Sequence, residues 1–297
     1  MVPSEEKDDS GALDPADEAF RCTCGRPECV MARARPFREH IAELYRTIES
    51  CQYEGALTPE WDSILYPLQM AASIEDVHAD TSYVDNSMAS MFCGGAARYE
   101  RAHSVVASRY VAALSIFTFV WTAYEAAVKA SEPHSFRKEA AQDENGKRGR
   151  LITEKYSHLL SEFQGIQNFA MGADLYCNRG GLFDERLERV RARYPAKDLA
   201  FAAELVREFR NHLFHGEDCP PMPEESSGVP TEGRCRIYRF YGVARLALIL
   251  IQLMARIAVE HGPKIVLRNP ETQRFASPGL VLAGLHLSRS RARSNAG

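Results

Sequence analysis

The stretch SVVASRYVAALSIFTFVWTAYEAAVKAS, residues 104–131, decides the fold class. Val106, Tyr110, Leu114, Phe117, Trp121, Tyr124 and Val128 recur every three or four positions, the period of one helical face. The segment is alanine-rich and holds no glycine or proline, so nothing interrupts a helix. As one helix it would be about 42 Å long, and Pro133 closes it. A second apolar run, Leu246–Ala255, falls inside a long helix expected from Tyr238 to His261 and stopped by Gly262-Pro263. Between the two, Asp198 stands where it can cap a helix from Leu199 to His215. Ala202, Leu205, Val206, Phe209 and Leu213 give that helix an apolar face, and Gly216 sits at its C-terminal cap position. No segment shows a clear strand alternation, so the expected class is all-α.

Outward from this frame, the chain of 297 residues has room for one large domain or two smaller ones. Hydrophobic residues at 45% and charged residues at 26% are globular proportions, which exclude a wholly disordered or collagen-like chain. The net charge of -4, from 36 bases and 40 acids, provides no global positive field. Contact with nucleic acid must therefore come from a local patch. Residues 1–20 read as a disordered acidic tail: seven acids face Lys7 alone. That tail is neither a secretory signal nor a transit peptide. The longest uncharged stretch, Tyr110–Tyr124, is 15 residues, short of the roughly 20 that span a bilayer, so no membrane partner is expected. Eight cysteines without a secretory signal point to reduced thiols and a cytoplasmic location.

Residues 21–97 form a cysteine-containing, mainly helical N-terminal region. It holds a helix from about Pro36 to Cys51 (Phe37, Ile41, Leu44 and Ile48 on one face), a second short helix after Pro59, and a break at Gly94-Gly95. Residues 98–263 form the helical domain, with an exposed loop over 132–150. Residues 264–297 form a basic tail in which six bases face Glu271.

The chemistry concentrates in Arg207-Glu-Phe-Arg-Asn-His-Leu-Phe-His-Gly-Glu-Asp218. Here Arg210, Asn211 and His215 close an apolar-faced helix. This spacing, Arg210-Asn211 followed by His215-Gly216, resembles the motif of the HEPN superfamily (higher eukaryotes and prokaryotes nucleotide-binding). The helix order over about residues 100–262 is similar too: the motif falls late, one more helix follows it, and Glu125 lies on a long early helix. The resemblance implies a HEPN-like helical bundle. It also implies a metal-independent endoribonuclease that leaves a 2′,3′-cyclic phosphate, works as a homodimer, and acts as a toxin or in defence against invaders. RNA and an antitoxin or defence-system protein would then be partners. The alternative is a non-catalytic HEPN module binding RNA, nucleotide or a protein partner. A third reading is a scaffold whose motif merely closes a helix. Some family toxins carry a tyrosine two residues after the histidine; Glu217 stands there, so control by nucleotidylation of that tyrosine is unsupported.

The residue types suit this chemistry. Arginine is permanently cationic and grips phosphate with two prongs. Histidine gives and takes a proton near neutral pH. Asn211 and His215, four apart, share a helix face, whereas Arg210 and His215 diverge by about 140° on an ideal helix. Attack by a 2′-hydroxyl needs a base, an acid and a cation at the phosphate. The expected roles are His215 as acid or base, Arg210 as phosphate clamp and Asn211 as an orienting hydrogen bonder. Glu125, on an apolar stripe, would fix Arg210 or His215, or form a structural ion pair, for example with Arg245.

No cofactor is required by this scheme. A structural zinc is conceivable at Cys22, Cys24 and Cys29, with His40 or Cys51 as fourth ligand, although C-x-C-x4-C is not a standard zinc spacing. Bases at Arg137, Lys138, Lys147, Arg148, Arg150 and Lys155, and at Arg186, Arg189, Arg191 and Arg193, could line an RNA backbone. Interleaved acids make a solvated face the plainer reading of either stretch.

Overall fold

The computed structural model describes residues 14–20, 22, 24, 26, 29–84, 88–131, 145–181, 185–216, 218–223, 232–270 and 272–288. Residues 132–144 of the expected loop, Glu217 and the basic cluster Arg289–Arg293 lie outside these. The class is all-α, as expected. The helices are α1 (Pro15–Glu18), α2 (Phe37–Tyr53), α3 (Asp62–Ser73), α4 (Ala89–Phe92), α5 (Gly94–Ser131) and α6 (Asn145–Lys155). They continue with α7 (Ile166–Arg179), α8 (Glu185–Arg193), α9 (Leu199–Phe214), α10 (Glu232–Val259) and α11 (Pro278–Gly284). Two antiparallel strands, β1 (Leu267–Arg268) and β2 (Phe275–Ala276), make a small hairpin before α11.

Helix α10 is the axis. Every residue from Ile237 to Ala255 is buried, so it is covered on all sides. Helices α5, α7, α9, α2 and α11 pack on it. By length and composition α5 and α10 could each cross a membrane, but 56% and 83% of their apolar windows are buried inside the bundle. Rings interlock where α5, α9 and α10 meet: Phe117, Phe209 and Phe240 stand edge-on at 5.0 to 6.2 Å.

Several expected boundaries move. Residues 14–20, read as part of a solvated tail, dock on the core. Asp14 caps α1, Ala16, Ala19 and Phe20 are buried, and the Asp17 carboxylate accepts from the Phe37 N–H at 2.8 Å. Three apolar side chains at the end of an acidic run suffice to hold it. The division near residue 97 also dissolves. Helix α5 starts at Gly94, and α3 packs along it while α2 packs on α3 and α10, so one continuous core joins both regions. Helix α6 begins at Asn145, inside the expected 132–150 loop. The expected tail is folded through Ser288, with α11 against α10.

A polar knot lies where α2, α10 and α11 meet. Arg35 Nε donates to the Leu285 carbonyl at 2.6 Å and Nη2 to that of Leu287 at 3.2 Å. Arg245 Nη1 donates to the Arg35 carbonyl at 2.8 Å, and its guanidinium lies among the rings of Phe20, Phe37 and Phe169. Gln252 Nε2 donates to the Leu282 carbonyl, so its Oε1 accepts, and His40 Nε2 supplies the proton at 2.9 Å. His286 Nε2 donates to the Gln164 carbonyl at 2.8 Å. Burial, with Arg245 nearby, holds His40 well below the usual histidine range. Burial likewise lowers His286 to about 4.

Candidate functional site

The motif closes α9. The Asp198 side chain accepts from the Phe201 N–H at 3.0 Å and starts the helix, and the buried Ala202, Leu205, Val206 and Phe209 seat it on the core. At the other end the His215 N–H still reaches the Asn211 carbonyl at 3.1 Å. Gly216 then takes a φ of +71°, a conformation that favours glycine and stops the helix. The chain beyond is pinned: the Asp218 carboxylate is ion-paired with the buried Arg239 of α10, whose Nη1 donates to the Gly180 carbonyl at 2.8 Å. Arg239 was not singled out by sequence, because a buried arginine in an apolar helix carries no periodic signal.

Arg210 is half-buried. Its guanidinium lies 4.3 Å from the Phe214 ring centre and 5.8 Å from that of Trp121. Its Nη1 donates to Asn211 Oδ1 at 3.3 Å, and its Nε is buried without a hydrogen-bond partner among the described residues. His215 is exposed at the helix end. The side chains of Arg210 and Asn211 are therefore brought together, whereas among the described residues the His215 ring bonds to neither. Glu125 is half-buried and forms no ion pair with Arg210, His215 or Arg245 among the described residues. Arg245 is engaged in the polar knot instead. On α5 it is Trp121, one turn earlier, that touches Arg210, a role hidden inside an apolar stripe.

Asn211 also lines a cavity of about 350 Å³ formed by α6, α8 and α9. Arg150 enters it from α6, and Arg186, Arg189 and Arg193 from α8, with Arg207 from α9. Arg150 of the first basic stretch and Arg186, Arg189 and Arg193 of the second, which look like separate solvated faces in sequence, thus meet beside the motif. Beneath them Glu204 is 4% exposed. It receives Arg207 Nη2 at 2.7 Å and has Arg150 at 3.6 Å. Glu208 pairs with Arg207 as well. Burial, with the Glu204 and Glu125 carboxylates close by, pushes the Tyr124 phenol above its usual range. Burial and a hydrogen bond to Glu154 push Tyr194 up to about 12.

Far along the sequence from the motif, the thiol sulfurs of Cys22, Cys24 and Cys29 lie within 4.8 Å of one another, close enough to share a metal ion. The hydrogen bond with Cys24 pushes Cys22 up to about 11, and the Ala32 N–H lowers Cys29. The two fourth ligands expected from sequence are not there: His40 is buried in the polar knot on Gln252, and Cys51 is buried in the core.

Comparison with protein-family models, with curated proteins and with solved structures gives no match, so a functional reading rests on these residues alone.

Proposed function

We propose that this chain is an endoribonuclease of the HEPN kind that works without a metal ion. The observation that carries the reading is the juxtaposition at the end of α9. Arg210 rests on two rings and on Asn211, Asn211 borders an arginine-lined cavity, and His215 stands exposed a turn away. In this scheme His215 takes the proton of an RNA 2′-hydroxyl, whose oxygen attacks the neighbouring phosphorus. The 5′-oxygen leaves with a proton, and the product keeps a 2′,3′-cyclic phosphate. Arg210 offsets the charge that builds on the phosphate, and Asn211 holds its guanidinium. One chain supplies one imidazole while the reaction needs both an acid and a base. The reading therefore includes a two-fold homodimer that sets two copies of His215 across one groove. A toxin or defence role with a neutralising partner protein follows from the resemblance alone.

The test is incubation of labelled single-stranded RNA with the protein in excess chelator, with the product ends mapped. Cleavage leaving cyclic phosphate, lost in His215→Ala, supports the proposal; equal cleavage by that variant ends it. A second reading, RNA binding without cleavage, is favoured by the absence, among the described residues, of any bond from the His215 ring to Arg210 or Glu125. It predicts that the unaltered protein binds RNA and cuts none.

The three-thiol cluster is proposed to hold a structural zinc ion as thiolates, with a fourth ligand other than His40 or Cys51. Elemental analysis should find about one zinc per chain, released by Cys24→Ser; zinc-free protein of full thermal stability would refute this.

A further inference from the structure

In the N-terminal thiol cluster, Cys22 Sγ lies 3.0 Å from Cys24 Sγ and 3.3 Å from Cys29 Sγ. We propose that Cys22 and Cys29 are a modification site: hydrogen peroxide joins them as a disulfide, and a thiol reductant reopens it. This shares its thiols with the zinc reading but does not need the metal. A sulfur held in a disulfide is no longer a thiolate ligand, so zinc and disulfide are competing states of one cluster.

The geometry selects the pair. A disulfide closes at about 2.05 Å between sulfurs and is strained when the backbone must move to reach it. Cys22 and Cys29 stand near that distance from opposite sides of a turn, in which the Cys29 N–H donates to the Arg26 carbonyl at 3.1 Å. Cys24 is nearer to Cys22, but a bond between residues two apart closes a small, strained ring. Solvent reaches the cluster, since Cys24 is exposed and Cys22 and Cys29 are half-buried.

The chain is anchored on both sides. Before the cluster, Phe20 is buried against Phe169 and Tyr176, with ring centres 5.9 and 6.3 Å away. After it, Val30 packs so closely on Gly165 that no Cβ fits there. Fixed ends hold one thiol at high effective concentration beside the other. Cys93 and Cys219 are exposed as well, but neither has a second thiol within hydrogen-bonding reach among the described residues.

The step balances. One sulfur gives its electron pair to a peroxide oxygen, the O–O bond breaks, water leaves and a sulfenic acid forms. The second sulfur attacks the first, the S–S bond forms, and the hydroxyl leaves with the second thiol's proton as water. Two thiols and one hydrogen peroxide give one disulfide and two waters.

The experiment treats the full chain, freed of zinc by chelator, with one molar equivalent of hydrogen peroxide. Alkylation and intact mass without reductant then count the remaining thiols. The expected result is a loss of two of the eight thiols and of two hydrogens, reversed by dithiothreitol. Cys24→Ser should lose the same two thiols, and Cys22→Ser/Cys29→Ser should form no disulfide within the chain. No disulfide in the unaltered zinc-free protein overturns the proposal. So does a two-thiol loss that survives in the double variant or vanishes in Cys24→Ser. In zinc-loaded protein the same oxidation should release the metal to a coloured chelator, and a disulfide formed with zinc retained overturns the shared cluster. A protein that binds no zinc refutes the zinc reading and leaves the thiol count to decide this one.

Discussion

Two groups of arginines in this protein differ in what their donors meet. Arg35 and Arg245 are 2% and 1% exposed, and each donates to backbone carbonyls far away in sequence, Arg35 pairing in addition with Glu39 at 2.8 Å. Aromatic rings cover the Arg245 guanidinium. Arg150, Arg189 and Arg193 stand around an open cavity, with acids at longer range. The same side chain is therefore a stitch in one place and a cavity-lining cation in the other. What separates them is the supply of fixed acceptors. Where helix ends and turns leave carbonyls inside the core, arginine satisfies them. Where three helices diverge and leave a gap, it faces solvent.

The contrast can be broken at four points. The largest effect is expected at the exposed end of α9. His215→Ala should lower RNA cleavage by about a hundred- to ten-thousand-fold with no change in melting temperature, read from product formation in chelator. A rate that does not change would leave the open region without proton-transfer chemistry. Next, Arg35→Ala strands the Leu285 and Leu287 carbonyls in the core, and unfolding by denaturant should show a loss of about 4 kcal/mol. A loss under 1 kcal/mol would mean that the knot is no stitch.

The third test is pH. His286 is held at about 4 in the folded chain against 6.5 when unfolded. Above pH 6.5 both forms are neutral and nothing changes. Below it the unfolded chain takes up the proton first, so stability falls as pH drops from about 6.5 to about 4, by about 3 kcal/mol for His286. His40 acts in the same direction. Denaturant midpoints at pH 7 and pH 4.5 measure the slope, and His286→Gln should flatten it. The smallest effect belongs to the cavity rim: Arg189→Ala should leave stability within about 0.5 kcal/mol in the same denaturant assay, and a larger loss would place it with the buried group.

Legibility in the sequence followed periodicity. Helices α2 and α5 bury one face, and α9 narrows to one face after its fully buried first half, so apolar residues recur at helical spacing and the extents were readable to within a few residues, except the start of α5. Asp198 and Gly216 mark α9 because capping is local chemistry. Helix α7, flanked by no proline and started at Gly165, was missed. The docking of residues 14–20 was missed as well, because three apolar residues in an acidic run give no period. Of the site, Arg210, Asn211 and His215 were visible as a spaced motif, whereas the contact of Trp121 with Arg210 was not. Nor was the lack of an ion pair at Glu125 among the described residues, or the meeting of Arg150 with the α8 arginines beside Asn211.

The amino-acid order alone determined the all-α class, the cap and stop of α9, and which side chains could carry chemistry, since these depend on neighbours within about one helical turn. Tertiary structure alone decided which arginines are sealed and which are open, and whether three cysteines meet. It also decided what touches the motif. Each of these depends on where separate helices cross, and an interhelical distance leaves no trace in the spacing of residues along one chain.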